Sequence, residues 1–223
     1  NGAGGTSPYQ FNRGTGNQAS GTFTGLAAGS YTCTVTDANG CKDTIIIRVN
    51  PLPVITGPSG VCIGETIQLS GSATANSPLA WTSSASAVAS VNNSGLVTGV
   101  AVGTADITYT NSSGCRKNYS VTVYPIPNIT GDSVNPTQCA TNNGSITIAG
   151  LTPSSSYTLS YTLGGVVVGP ISFSTGVGIT AYTIQNLGAG SYTNIAVTRN
   201  GCRSNQLSFS LTSPSSPPVP VAG

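Results

Sequence analysis

Short runs of alternating apolar and polar residues, each cut off by Gly, Pro, Asn or Ser, most narrowly limit what this chain can fold into. They include Tyr31-Thr32-Cys33-Thr34-Val35-Thr36, Thr66-Ile67-Gln68-Leu69-Ser70, Ala105-Asp106-Ile107-Thr108-Tyr109, Ser120-Val121-Thr122-Val123-Tyr124 and Ser145-Ile146-Thr147-Ile148. Successive side chains of a strand point to opposite faces, so a period of two marks a strand buried on one side. No stretch of eleven or more residues carries the 3.6-residue period of an amphipathic helix. The chain reads as all-β.

Two proline-bracketed joints divide it, Asn50-Pro51-Leu52-Pro53 and Tyr124-Pro125-Ile126-Pro127. Proline removes a backbone donor and fixes φ, so it ends central strands and stiffens short linkers. The expected organisation is a partial β-sandwich over 1–51, sandwiches over 52–125 and 126–213, and a Pro/Ser-rich tail or linker over 214–223.

A repeat links the first and third units. Residues 25–41 read GLAAGSYTCTVTDANGC and residues 186–202 read NLGAGSYTNIAVTRNGC, aligned without a gap. The Leu-x-x-Gly-x-Tyr element matches the tyrosine corner of sandwich folds, in which the phenol bonds back to nearby backbone. Tyr31 and Tyr192 are therefore assigned structural roles. Asn-Gly supplies positive-φ residues for a tight hairpin turn. The two units are expected to share their last two strands. At roughly fifty residues the first unit is too short for a sandwich of about a hundred. The fold class is thus tandem immunoglobulin-like β-sandwiches, the first incomplete at its N-terminus. An incomplete sheet exposes unpaired backbone groups that a neighbour must cover.

The chemistry available is narrow. Charged residues are 5% of the chain, the net charge is +2, and there is no histidine and no methionine. No basic field exists to hold nucleic acid or an anionic membrane, and no transmembrane run is visible. The missing starter methionine marks a processed form or an excerpt. Without histidine there is no side chain that ordinarily titrates near neutral pH for acid–base catalysis. No carboxylate pair or G-x-S-x-G elbow is evident either. The chain reads as a non-enzyme with no cofactor or metal.

Six cysteines, Cys33, Cys41, Cys62, Cys115, Cys139 and Cys202, form no C-x-x-C pair. Widely spaced cysteines in small β domains read as disulfides in an oxidising compartment outside the cytoplasm. Cys62 precedes the strand at Thr66 and Cys115 opens the closing strand of the middle unit, while Cys139 and Cys202 hold corresponding places in the third. The expected bonds are Cys62–Cys115 and Cys139–Cys202, each stabilising by about 4 kcal/mol through loop-closure entropy. By the same alignment, Cys41 should pair with a cysteine about two dozen residues before Asn1. Cys33–Cys41 is left by elimination, but the two lie several rungs apart on one hairpin, against a Cα limit of ~7 Å. Partners elsewhere, or free thiols, are the other readings for Cys33 and Cys41.

Ser7-Pro8-Tyr9-Gln10-Phe11 followed by GLAAGSYTCTVTDANGC resembles the gliding-adhesin repeat of Bacteroidetes surface proteins. The middle unit resembles the bacterial group-2 immunoglobulin-like domain. The resemblance rests on Val61-Cys62-Ile63-Gly64-Glu65-Thr66, Trp81-Thr82-Ser83-Ser84, Ala89-Ser90-Val91, Gly95-Leu96-Val97-Thr98-Gly99-Val100 and Gly103-Thr104-Ala105. The third unit is similar to an immunoglobulin or fibronectin-like module of the same proteins. These resemblances imply a type IX secreted, cell-surface protein used in adhesion, gliding or extracellular fibres. In that setting Asp43-Thr44-Ile45 and Asp132-Ser133-Val134 resemble the phylum's O-glycosylation motif, making Thr44 and Ser133 candidate acceptors.

Two further features have plain structural readings. Asp37-Ala38-Asn39-Gly40 lacks the later acidic positions of a calcium loop, and turn chemistry accounts for it. Trp81, the one tryptophan, is the expected core plug of a sandwich beside a disulfide, in preference to a sugar-stacking platform. The functional expectation is a filament or adhesin-stalk segment whose partner is itself, either as a head-to-tail homo-polymer or as tandem repeats of a longer chain in which the proline-rich tail is a covalent linker. The first unit would then be completed by another segment, with the Ser213–Gly223 tail of the next copy a candidate. The alternatives are a module binding surface glycans or a receptor, and an accessory domain of a secreted enzyme.

Overall fold

The computed structural model describes residues 4–215. It is a string of immunoglobulin-like units built only from strands and turns. The first sheet joins β1 (Gln10–Asn12), β2 (Asn17–Gln18), β3 (Gly29–Thr36) and β4 (Lys42–Val49) in the order β2-β1-β3-β4. Among the described residues no second layer covers it, and up to Leu52 none is buried.

The middle unit contains β5 (Ile55–Thr56), β6 (Gly60–Cys62), β7 (Thr66–Gln68), β8 (Ser70–Gly71) and β9 (Trp81–Ser83). It continues with β10 (Ala89–Val91), β11 (Leu96–Gly99), β12 (Gly103–Thr110) and β13 (Arg116–Tyr124). One sheet runs β10-β11-β7 and the other β6-β13-β12-β9, with β5 paired to β8. Along β12, Ala105, Ile107 and Tyr109 turn inward, as alternation requires, and meet Trp81, Val97, Val121 and Val123 in one core. The run Thr66–Ser70 is broken at Leu69, which is buried while its N–H donates to the Gly95 carbonyl at 2.9 Å. Gly71 lies against the Tyr109 ring, where a Cβ would collide with it.

The third unit is a two-layer sandwich. Its first layer joins β14 (Thr130–Val134), β15 (Gly144–Ala149) and β18 (Ala181–Leu187). The second runs β17 (Val166–Ser174), β16 (Ser156–Leu163), β19 (Gly190–Arg199), with β20 (Cys202–Arg203) and β21 (Leu207–Leu211) both paired to β19. Ile146 and Ile148 from one layer pack against Leu159, Tyr192, Ile195 and Val197 from the other. Burying side chains of this size contributes about 1.5–3 kcal/mol each.

Candidate functional site

The first and third units share one sheet. In the third, β16 and β21 flank β19; in the first, β1 and β4 flank β3. Tyr192 donates its hydroxyl hydrogen to the Gly188 carbonyl at 3.1 Å, and Tyr31 donates to the Ala27 carbonyl at 2.8 Å. Each phenol thus bonds four residues upstream and fixes the entrance to its strand. The third unit covers this sheet with β14, β15 and β18, whereas the first leaves it bare. On β3 the residues Tyr31, Cys33 and Val35 share a face, and Ile47, Ile45 and Asp43 lie opposite them on β4. Ile45 and Ile47 are 63% and 42% exposed. With Phe11 and Phe23 they line an open groove of about 340 Å³. The Arg13 guanidinium stands 5.9 Å from the Phe23 and Tyr31 ring centres, over one end of this face. A smaller depression of about 220 Å³, lined by Gly4, Tyr9, Asp37 and Cys41, shares Val35 and Asp43 with the groove. The apolar face therefore runs out at Cys41.

The turn after β3 is held by Asp37. Its carboxylate accepts from the backbone N–H of Thr6 at 3.0 Å, Asn39 at 3.0 Å and Cys41 at 2.8 Å. These donors, Thr6 first and Cys41 next, hold its pKa below the ordinary aspartate value. The same construction recurs between β12 and β13. There the Asn111 side-chain oxygen accepts from Ser113 at 3.1 Å and Cys115 at 2.9 Å. The repeated Asn-Gly behaves differently in its two copies. Asn200 and Gly201 both take positive φ, 52° and 82°, in a tight two-residue hairpin. In the first unit only Gly40 does, at 83°, because the Asp37 bonds stabilise a longer turn.

The cysteines depart from the sequence expectation. Cys62 bonds Cys202, with Cα atoms 5.6 Å apart and 140 residues between them in sequence. Cys33, Cys41, Cys115 and Cys139 are free thiols. Neither Cys62–Cys115 nor Cys139–Cys202 forms, and the strands show why. Cys62 pairs with Tyr124 at one end of β13, whereas Cys115 lies in the turn before the other end. At about 3.3 Å per residue, the nine-residue β13 holds them about 30 Å apart. Cys139 likewise sits beside Pro214 and Ser215, past Leu211, which pairs with Gly190 at the start of β19. Cys202 pairs with Arg199 at the far end of that strand. The cysteines sit at the ends of the sandwiches, so one bond staples the middle unit to the third. Cys33 faces the bare groove and Cys41 is exposed in its turn. They lie on different rungs, Cys33 opposite Ile45 and Cys41 just before Lys42 opposite Thr36.

The remaining singled-out residues occupy ordinary places. Trp81 is 4% exposed and packs on Tyr109 at 4.7 Å between ring centres, so it offers no platform to a sugar. Thr44 is exposed on β4 and Ser133 half-buried on β14, and each backbone N–H donates to the preceding aspartate at 2.8 Å. Among the described residues no group of three or more acidic, Cys or His side chains could hold a metal, and no helix could cross a membrane.

No curated protein matches the chain. Among solved structures, it is similar to domains 4 and 5 of the S-layer protein SbsC, at 15% identity and a TM-score of 0.31, covering 95% of this chain and 100% of that one. It is similar to the Bacteroides ovatus mixed-linkage glucan utilization locus protein SGBP-B, solved with a heptasaccharide. That match has 19% identity and a TM-score of 0.25, over 92% of this chain and 60% of that one. Murine CEACAM1b matches at 16% identity and a TM-score of 0.35, over 72% and 100%. Residues 61–123, from β6 through β13, match the family model for the bacterial Ig-like domain, group 2.

Proposed function

We propose that this chain is an extracellular structural module that assembles head to tail, as a filament or adhesin-stalk segment. The bare groove of its first sheet is covered by residues 213–223 of an adjacent copy. The observation that carries this reading is the half-sandwich itself. The first unit has the sheet of the third, with its tyrosine corner, yet its inner face meets water. Covering Ile45 and Ile47 would contribute about 1–2 kcal/mol each.

The covering segment fits by length and chemistry. Residues 214–223 include Pro214, Pro217, Pro218 and Pro220, with Val219 and Val221 between and after them. Residues 216–223 lie outside those the structure describes; an extended segment of this length, at about 3.1 Å per residue, would span about 30 Å, against about 27 Å for the eight-residue β3. Proline-rich segments suit aromatic-lined grooves because they need no backbone partner. A contact between different surfaces of successive copies propagates instead of closing. The Cys62–Cys202 bond supports an oxidising, extracellular setting, and the resemblance of the first unit to gliding-adhesin repeats supports a surface role exported by the type IX route.

Sedimentation of the full chain, with exposed thiols alkylated, tests this. Concentration-dependent oligomers should form, and they should be lost on Ile45→Asp with Ile47→Asp or on removal of residues 216–223. A monodisperse monomer at every concentration, or oligomers indifferent to both changes, would refute it.

A further inference from the structure

We infer that Cys139 of one copy and Cys41 of the next form a disulfide that locks successive copies together, an inference resting on the head-to-tail reading above. The molecule already contains the pattern. Cys62 lies where its unit's last strand leaves, paired with Tyr124 just before the Pro125–Pro127 joint. Its partner Cys202 follows the Asn200-Gly201 turn of the next unit. That turn lies at the third unit's leading end, where the Asn205 side chain bonds Ile129 N–H at 2.7 Å and its carbonyl at 2.8 Å. The rule is a trailing-end cysteine bonded to the hairpin-turn cysteine of the unit that follows.

Cys139 and Cys41 are the unused halves of the same arrangement. Cys139 lies where the third unit's chain leaves, its Sγ 3.2 Å from the Pro214 carbonyl and 3.3 Å from that of Ser215. Cys41 follows Asn39-Gly40 and aligns with Cys202 in the repeat. Its turn sits at the leading side of the first sheet, where Ala38 N–H bonds the Thr6 carbonyl at 2.8 Å and the Asn39 side chain bonds the Thr6 hydroxyl at 2.9 Å. Both thiols are exposed. The geometry of the groove supplies the approach. A tail laid along it from Pro214 starts beside Cys139, and the apolar face ends beside Cys41. The other two thiols fit less well, because Cys33 lies within the groove and Cys115 is half-buried in the turn at Asn111.

Bond formation needs a two-electron oxidant, here a low-molecular-weight disulfide. The Cys41 thiolate attacks that disulfide and releases one thiolate, leaving a mixed disulfide. The Cys139 thiolate of the other copy then attacks the Cys41 sulfur and expels the second. Two thiols are oxidised, one small disulfide is reduced to two thiols, and the protons pass to the departing thiolates.

The full chain, incubated with oxidised and reduced glutathione, should give a ladder of covalent multimers on non-reducing gels, and a linked Cys41–Cys139 peptide by mass spectrometry. Cys41→Ser and Cys139→Ser should each abolish the ladder, while an equal mixture of the two variants should stop at dimers. A ladder that survives either substitution, links mapped to Cys33 or Cys115, or unreacted Cys41 and Cys139 would overturn the inference. Sedimentation of both serine variants separates the two proposals. If those variants still form oligomers while the unmodified chain yields no Cys41–Cys139 link, the head-to-tail reading stands and the disulfide falls, whereas monomers throughout, with no ladder in the unmodified chain, sink both.

Discussion

Removing the Cys62–Cys202 staple is the perturbation whose size follows most directly from the fold. The bond closes a loop across 140 residues. Loop-closure entropy of 2.1 + 1.5R ln n then gives about 17 cal/mol/K, or about 5 kcal/mol at 25 °C. At about 2–4 °C per kcal/mol for units of this combined size, the staple is worth about 10–20 °C in melting temperature. Both sulfurs are buried, so the clean variant is the double change Cys62→Ala with Cys202→Ala, which leaves neither a lone thiol nor a buried hydroxyl. Scanning calorimetry should show the middle and third units of the oxidised protein melting at higher temperature and closer together. In the double variant they should separate into two earlier transitions. Small-angle scattering should show a wider spread of shapes, because only the Pro125–Pro127 joint then connects the two sandwiches. If the double variant kept the melting temperature and the number of transitions, the staple would contribute nothing and the reasoning would fail.

Ile146→Ala should destabilise the third unit by about 2–5 kcal/mol, read by urea denaturation, because Ile146 is fully enclosed between its layers. Tyr192→Phe should cost about 0.5–1.5 kcal/mol by losing the bond to Gly188. Burial, reinforced by the nearby Tyr161 phenol, raises the Tyr192 pKa. Its contribution is therefore complete below the ordinary tyrosine pKa and is lost as pH rises through the raised one, so the variant should flatten the alkaline limb of a stability profile. Asp37 runs the other way: its pKa is lowered, so its support for the β3–β4 turn is present above the ordinary carboxylate pKa and lost as pH falls through the depressed one. The protection of the Thr6 and Cys41 amides, taken relative to their intrinsic exchange rates, should fall in acid, and Asp37→Asn should remove that pH dependence.

The class of fold was legible because burial on one face writes itself into alternation. Tyr31–Thr36, Ala105–Tyr109, Ser120–Tyr124 and Ser145–Ile148 all lie within strands. The tyrosine corners were legible for a related reason, since each is a local bond closed within four residues. The exposed first sheet could be anticipated from length and the repeat, although not the run of its groove toward Cys41. Cysteine pairing was not legible. It depends on which end of which sandwich each turn occupies, a relation between residues far apart in sequence, and the strands β13 and β19 set that relation by their length alone. The divergent Asn-Gly turns were hidden for a smaller reason: the Asp37 side chain, present in one copy and replaced by Thr198 in the other, selects the longer turn.

Electron cryomicroscopy of the assembled chain tests the central claim most directly, at the face formed by Phe11, Val35, Ile45 and Ile47. The account predicts a continuous string of copies, with density over that face traceable to residues 213–223 of an adjacent copy. Separate particles with the face open to solvent, or a face covered by the chain's own residues, would contradict it.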